Sequence, residues 1–335
     1  MQLEIDIVIP VYNEAEGIEA NVGSILRALT AATIDRVRLI LVDDGSTDTT
    51  FEAIQRLLAQ NENVAALRFT RNFGKEAAIE AGLAHSTGDA VIVMDSDLQH
   101  PPELLPRFIE EWRRGALVVE GVKRARGTES LGARWSARSF YWIFGRLANL
   151  RIDNHTDFKL LDRRIVDLYL RLPERRKFFR GLVPWMGHTV VRIPFDVPDR
   201  ASGRSGWPRF RLVRYAWDNI CSFSGMPLHL LGLLGTAAIV VALAILAITF
   251  VQFLRGTAAT GFTTVIFLIV FLSGIQLIAF GILGGFVARI YDELKHRPSF
   301  LIADARGLPR TNEDKSLTKP VTLTSGPSSA SDMSQ

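Results

Sequence analysis

The chain has 335 residues, 48% of them hydrophobic, and its mean hydropathy is slightly positive. That length suits one large domain or two small ones, and that balance points to a membrane segment. A net charge of +4 is modest but its placement is informative, no nucleic-acid partner is expected, and a single cysteine, Cys221, excludes an intramolecular disulfide and fits a reducing, cytosolic setting.

The first part of the chain alternates strand and helix. The opening apolar run, Ile5-Asp6-Ile7-Val8-Ile9-Pro10-Val11, is short and interrupted by Asp, so it reads as a strand rather than a signal peptide. Strands are predicted over Ile5–Pro10, Val37–Val42, Val64–Phe69, Ala90–Met94 and Ala116–Glu120. Helices are predicted over Glu14–Leu29, Thr49–Gln60, Lys75–Ala84 and Glu103–Arg113. This order implies an α/β fold with right-handed crossovers onto a mostly parallel sheet.

The stretch from Lys123 to Trp207 is mixed, basic and aromatic. Two uncharged segments follow, Leu228–Leu254 and Gly261–Ala288, each long enough to cross a bilayer with tilt. The short link between them, Arg255 to Thr260, makes them a hairpin. Arg209, Arg211 and Arg214 precede it, and Arg289, Lys295 and Arg297 follow it. By the positive-inside rule both flanks face the cytoplasm, which predicts a multi-pass protein of the inner membrane with a cytoplasmic N-terminal domain. Arg134–Asn149 and Pro208–Phe223 interleave aromatics with arginines and read as amphipathic helices in the headgroup zone. The predicted organisation is thus 1–207 catalytic, 208–226 juxtamembrane, 227–290 membrane hairpin and 291–335 cytoplasmic tail, the tail largely disordered after 310.

Three predicted strand ends carry chemistry. The first ends in Pro10-Val11-Tyr12-Asn13-Glu14, the second in Asp43-Asp44-Gly45-Ser46, and the fourth in Asp95-Ser96-Asp97-Leu98-Gln99-His100. Ligands of open α/β sheets bind at the carboxyl ends of strands. There Tyr12 can lie against a base, and Asp43 or Asp44 can accept from base N–H or ribose hydroxyl groups. Asp95 and Asp97 can share a hard cation, Mg²⁺ or Mn²⁺, with a substrate diphosphate. The alternative for that pair is a helix N-cap, because Pro101-Pro102-Glu103 opens a helix. No Gly-x-Gly-x-x-Gly or P-loop pattern follows the first strand, so a dinucleotide or P-loop reading has no support.

These motifs, with Arg71-Asn72-Phe73-Gly74-Lys75 and Asp95 to Glu103, resemble the inverting family 2 glycosyltransferases of GT-A fold. With the terminal hairpin, the chain resembles the polyisoprenyl-phosphate type, which includes dolichol-phosphate mannose synthases and bactoprenol glucosyltransferases. The resemblance runs from about Gln2 to His296. It implies metal-dependent transfer of a sugar from a nucleotide sugar, UDP-glucose as first choice, to a polyprenyl phosphate such as undecaprenyl phosphate. Mannose, N-acetylglucosamine or an aminopentose stay open as the sugar, and so does a homo-oligomer. A catalytically silent, membrane-anchored nucleotide-sugar-binding scaffold is the alternative from another class. A processive polysaccharide synthase would carry a Gln-x-x-Arg-Trp motif, which is absent.

The resemblance also implies residue roles. Asp95, Asp97 and Gln99 would hold the metal, and Pro10, Tyr12, Glu14, Asp43 and Asp44 the nucleoside. Asp157 matches an acidic position near sugar and acceptor. Lys123, Arg126, Arg134, Arg180, Arg200 and Ser205 would face phosphates. Two departures stand out: Gly206 replaces an expected Lys within Gly203-Arg204-Ser205-Gly206-Trp207, and Val197 replaces a frequent Arg. Both bear on the acceptor phosphate and sugar choice and leave the metal site untouched.

Overall fold

A computed structural model describes residues 3–30, 36–124, 156–174, 177–196, 226–256 and 261–308. The first strand, β1 (Glu4–Val11), is followed by α1 (Ile18–Thr30), β2 (Arg36–Asp43), α2 (Thr50–Gln60), β3 (Val64–Phe69), α3 (Lys75–Ala84) and β4 (Ala90–Val93). A 3₁₀ turn (Pro102–Leu104) leads into α4 (Leu105–Arg113) and β5 (Val118–Lys123). Then come β6 (Lys159–Asp162), α5 (Arg163–Arg171), α6 (Phe179–Trp185), β7 (Val190–Phe195), α7 (Met226–Leu254), α8 (Phe262–Leu294) and β8 (Ile302–Arg306).

Among the described residues eight strands form one sheet in the order β7-β5-β6-β4-β1-β2-β3-β8. The four strands β4, β1, β2 and β3 pair in parallel, as the alternation of strand and helix predicts. The chain builds outward from β1 to β3, then crosses through α3 to place β4 on the other side of β1. The carboxyl ends of β1 and β4 therefore flank the point where strand order reverses, the place where such sheets leave a crevice.

Both faces of the sheet are covered, which is why its central strands are buried throughout. One apolar layer joins α1, α2 and α4 through Ile18, Val22, Ile54, Leu57, Leu105 and Phe108. The other joins α3, α5 and α6 through Ala78, Ile79, Ile165, Tyr169, Phe179 and Leu182. Asp6, the charge inside the first apolar run, is buried at the amino end of β1. It takes two bonds from Arg38 (3.0 and 2.9 Å) and two from the amides of Thr87 and Gly88 (2.6 and 2.8 Å). Structural charge sits at that end of the sheet, and the sequence-predicted site residues sit at the other.

α3 lies unusually close to β1. A Cβ on Gly82 would stand 2.3 Å from Val8 Cγ1. Gly82→Ala is expected to destabilise the protein by about 1–3 kcal/mol through overpacking, seen as a lowered melting temperature.

Two strands depart from the simple alternation. β6 runs antiparallel between β4 and β5, pairing Val93 with Lys159 and Ala90 with Asp162. Its amino end therefore lies beside the carboxyl end of β4. β8 runs antiparallel on the edge of β3. The sequence pattern predicts a tail from 291; α8 instead continues to Leu294 and the chain returns to the sheet as β8. β8 lacks an alternating apolar pattern, and its pairing comes from the edge of β3 that it covers.

Within α7 and α8, Leu231–Gln252 and Phe271–Leu294 are long and apolar enough to cross a membrane, at 22 and 24 residues. At 1.5 Å per residue the first spans about 33 Å. Neither is buried inside the protein, so the core helix of a soluble domain does not explain them. Leu233, Ile239, Leu243, Phe250, Leu277 and Phe280 all point outward. The predicted amphipathic segments Arg134–Asn149 and Pro208–Phe223 lie outside the described residues, as do Cys221 and the chain after 308.

Candidate functional site

The loops after β1 and β2 are tied to each other. The Asn13 amide donates to Ser46 Oγ (3.0 Å), and the Thr47 amide donates to Asn13 Oδ1 (2.9 Å). The Glu14 amide donates to Thr50 Oγ1 (2.8 Å). Asn13 adopts φ 54°, a left-handed conformation that Asn tolerates better than most residues. Gly45 has φ 68°, and a Cβ there would meet the Arg71 backbone at 2.4 Å. Only glycine lets this turn pass so close to the Arg71 loop.

The five residues expected around a nucleoside divide. An open cleft of about 570 Å³ is lined by Tyr12, Gly45, Ser46, Thr47, Phe51, Arg68, Arg71 and Asn72, among others. Tyr12 is 44% exposed on its wall. Asp43 is fully buried beneath it: Oδ1 accepts from the Ser46 amide (3.0 Å), and Oδ2 lies 3.4 Å from Arg68 Nε with no hydrogen-bond donor. A buried carboxylate is costly unless its charge is compensated, and the Arg68 guanidinium supplies the compensating charge. Asp44 instead accepts from the Phe73 and Gly74 amides (2.7 and 2.9 Å) and holds the loop that begins α3. Burial raises its pKa against those two bonds. Pro10 is buried within β1. Glu14 faces the acidic side of the site, its pKa raised by burial and then by Asp97 and Asp48.

The loop after β4 is held from several sides. The Met94 amide donates to Val8 O (3.1 Å), and the Asp95 amide to His100 Nδ1 (3.1 Å). Asn21 reaches over from α1 to bond Ser96 O (2.7 Å). Asp97 Oδ1 accepts from the Gln99 amide (3.1 Å), a tight local turn. Leu98 adopts φ 55°, a strained conformation for a bulky residue, and strain of this kind collects at functional loops. The helix-cap alternative for the Asp pair fails, because Pro101 occupies the cap position and no side chain caps that turn.

Asp95, Asp97 and Gln99 thus sit on one partly exposed loop. Among the described residues no group of three His, Cys, Asp or Glu side chains forms a ready-made metal cage. Two hard carboxylates on a partly exposed loop still fit a divalent ion that would take its remaining ligands from a diphosphate and water.

Facing that loop is a set of cations. Lys75 Nζ bridges Asp95 Oδ1 (2.5 Å) and Asp157 Oδ2 (2.8 Å). Arg180 grips Asp157 with two bonds, Nε to Oδ1 (3.1 Å) and a terminal nitrogen to Oδ2 (2.8 Å). Burial works to raise the Asp157 pKa, but Lys75 and then Arg180 outweigh it and hold the carboxyl well below its usual range. Burial likewise works against the charged Lys75, yet Asp157 and Asp95 keep its pKa above the ordinary value. Lys123, at the end of β5, is within electrostatic range of the same groups: burial lowers its pKa, partly offset by Asp95.

The antiparallel turn of β6 is what brings Asp157 to this point. Behind it, Lys159 and Glu120, cross-strand partners on β6 and β5, form a fully buried ion pair. His100 is stacked on Phe158 at 5.0 Å, with Phe195 edge-on at 6.1 Å. Burial lowers the His100 pKa, so a neutral ring accepts from the Asp95 amide and fixes that loop.

Of the site residues expected from the sequence, Asp95, Asp157 and Arg180 are joined through Lys75, and Lys123 lies within electrostatic range of Asp95, Asp97 and Arg180. Sequence reasoning gave no separate role to Lys75, although Arg71-Asn72-Phe73-Gly74-Lys75 was part of the resemblance. It also gave none to His100, Glu76 or the Glu120–Lys159 pair. The last of these had no local signal, because a charged residue in a short apolar strand looks the same whether it is paired or solvated. Arg126, Arg134, Arg200, Ser205, Val197 and Gly206 lie outside the described residues.

Glu76, on α3 behind that set of cations, has its pKa raised to about 7 by burial and then by Asp157, against a bond from the Phe179 amide. An acid whose folded pKa is raised stabilises the fold below its unfolded pKa of 4.5 and loses that contribution as pH climbs toward 7. Glu76→Gln keeps an acceptor for Phe179 and is expected to flatten this slope. The variant should gain up to about 3 kcal/mol over wild type at pH 8 and little at pH 4.5, read as melting temperature against pH.

Residues 6–168 match the model of the family described as Glycosyl transferase family 2. An uncharacterized glycosyltransferase of Synechocystis is 36% identical over 310 residues, 92% of this chain and 97% of the relative. The bactoprenol glucosyl transferase of Shigella phage SfX is 36% identical over 304 residues, 90% of this chain and 99% of the relative. A prophage bactoprenol glucosyl transferase homolog of Escherichia coli K12 is 34% identical over 302 residues, 90% of this chain and 98% of the relative. With motifs, sheet and apolar helix pair all in agreement, the chain belongs to the GT-A glycosyltransferases of family 2, in their polyprenyl-phosphate branch.

Proposed function

We propose that the protein transfers glucose from UDP-glucose to a polyprenyl phosphate such as undecaprenyl phosphate, with inversion, at the cytoplasmic face of the membrane. One observation carries this reading above the others. An open cleft walled by Tyr12, Ser46 and Arg71, a partly exposed loop carrying Asp95 and Asp97, and the cations Lys75 and Arg180 bound to Asp157 all lie toward the carboxyl ends of the parallel strands, an arrangement that suits a nucleoside diphosphate and its metal. The names of the phage and prophage relatives support the sugar and the lipid.

In this reading Tyr12 and Asp43 hold the nucleoside, and Asp95, Asp97 and Gln99 hold Mg²⁺ or Mn²⁺. The ion, when bound, neutralises charge on the departing diphosphate. Lys75, Lys123 and Arg180 share that work from the chain itself, as fixed positive groups in a partly dry pocket. The acceptor phosphate has a second pKa of about 6 and arrives largely ionised, so little general-base help is needed. Asp157, saturated by two cations, is a poor proton acceptor and serves to position Lys75 and Arg180.

The two apolar helices support a membrane acceptor. The pairing of β8 with β3 supports the topology, because strands that hydrogen-bond must lie on the same side of any bilayer that α7 and α8 cross. The test uses the full chain in lipid nanodiscs with a panel of nucleotide sugars, undecaprenyl phosphate and Mg²⁺ or Mn²⁺. Glucolipid formed from UDP-glucose is the expected product. Nucleotide binding without any glycolipid product would overturn transfer in favour of a binding scaffold.

A further inference from the structure

We propose that β8, the strand beyond the second apolar helix, is a donor-binding element, with Ala303 and Asp304 forming one wall of the nucleotide cleft. This rests on the proposed function, in which the cleft takes a nucleoside diphosphate.

The strand is fixed to the sheet at four register positions, Ala66 with Arg306, Leu67 with Ala305, Arg68 with Asp304 and Phe69 with Ile302. Its start is anchored as well. Phe300 stacks on Phe69 at 5.3 Å, and the Thr70 amide donates to Leu301 O at 3.0 Å. The register shifts between Arg68 and Phe69, which leaves Ala303 as the extra residue of a bulge. Bulges re-aim side chains and are frequent beside active sites.

This bulge turns Ala303 and Asp304 to the cleft, opposite Tyr12 and Ser46. Asp304 Oδ2 takes bonds from Arg306 at 2.9 and 2.8 Å. Arg306 and Arg68 both approach the Phe51 ring on the cleft floor, at 6.0 and 4.4 Å. The wall thus carries a carboxylate paired with the Arg306 guanidinium, beside a Phe51 ring that Arg68 and Arg306 both approach. Such a surface orients a heteroaromatic base and its ribose, with acceptor oxygens for their hydroxyl or N–H groups. Ala303, with its small side chain, leaves room for the ring. The donor site is then complete only when the chain has passed through α7 and α8 and returned to the sheet.

The experiment compares Ala303→Trp and Asp304→Asn with wild type as full-length protein in nanodiscs. Calorimetry measures the Kd of UDP, and kinetics give KM for UDP-glucose and for undecaprenyl phosphate separately. Ala303→Trp should weaken UDP binding and raise donor KM about tenfold or more, with acceptor KM unchanged. Asp304→Asn should weaken UDP about three- to tenfold, with an unchanged melting temperature. If Ala303→Trp melts early, Ala303→Leu takes its place on the same readouts. UDP binding within about twofold of wild type in the folded variants would overturn the proposal while leaving the function intact. A wild type that binds UDP-glucose and UDP not at all would overturn the proposed function, and this inference with it.

Discussion

Asp157→Asn is expected to lower the transfer rate by about two to three orders of magnitude. The substitution leaves the shape nearly unchanged but removes the charge that holds Lys75 and Arg180 in place. Lys75 would then be drawn fully onto Asp95, and Arg180 would keep at most one of its two bonds, now to a neutral amide oxygen. Breaking a buried pair costs about 3–5 kcal/mol; Lys75 and Arg180 are about 40% and 36% exposed, so about 2 kcal/mol of stability is the expected loss. The diagnostic readout is the pH profile. If Asp157 positions the cations, activity stays low from about pH 6 to 9, because the acceptor phosphate is already ionised. Recovery of the rate at high pH would identify Asp157 as a general base instead. The stability effect has its own sign. A carboxyl whose folded pKa is depressed stabilises the fold above its unfolded value of 3.8 and loses that contribution as pH falls. The difference in melting temperature between wild type and variant should therefore shrink in acid.

Asp95→Asn and Asp97→Asn are expected to reduce turnover by about a thousandfold or more, and chelation of divalent ions should do the same to wild type. Both substitutions remove a hard anionic oxygen from the loop after β4, and two carboxylates are all that this loop presents. They should be separable. Asp95 also pairs with Lys75, so its loss shifts the cations as well as the metal. Asp97 bonds its own loop through the Gln99 amide, so its loss should act through metal affinity. For Asp97→Asn, the metal concentration at half-maximal activity should rise about 10–100-fold, and excess Mn²⁺ should restore part of the rate. For Asp95→Asn, excess metal should restore little. Equal rescue of both would mean that the Lys75–Asp95 contact plays no part in turnover.

The parallel part of the sheet was legible because local and global signals agree there. Ile5–Val11 and Ala90–Val93 are β-rich runs buried on both faces, and α3 fills the gap between strands over Lys75–Ala84, the bounds that the strand–helix alternation predicts. Asp95 and Asp97 were legible for the same reason, since the end of a buried strand is visible in the run that precedes it. β6 was not: four residues, two of them charged, give no periodicity. Lys159 belongs in that strand only because Glu120 faces it across the sheet. β8 was equally silent, because Ile302-Ala303-Asp304-Ala305-Arg306 is extended by its partner and not by its composition.

Sequence alone determined the strand–helix alternation, the carboxylates at the strand ends and the two apolar helices. All of these rest on patterns within a few residues or turns of the chain. Tertiary structure decided what those residues do to one another. An antiparallel β6 sets Asp157 beside Asp95, Lys75 bridges the two, Asp44 turns from the cleft to hold a loop, and β8 returns to wall the cleft. The reason is physical: charge pairing and edge pairing depend on distances between segments far apart in the chain, and no local pattern records them.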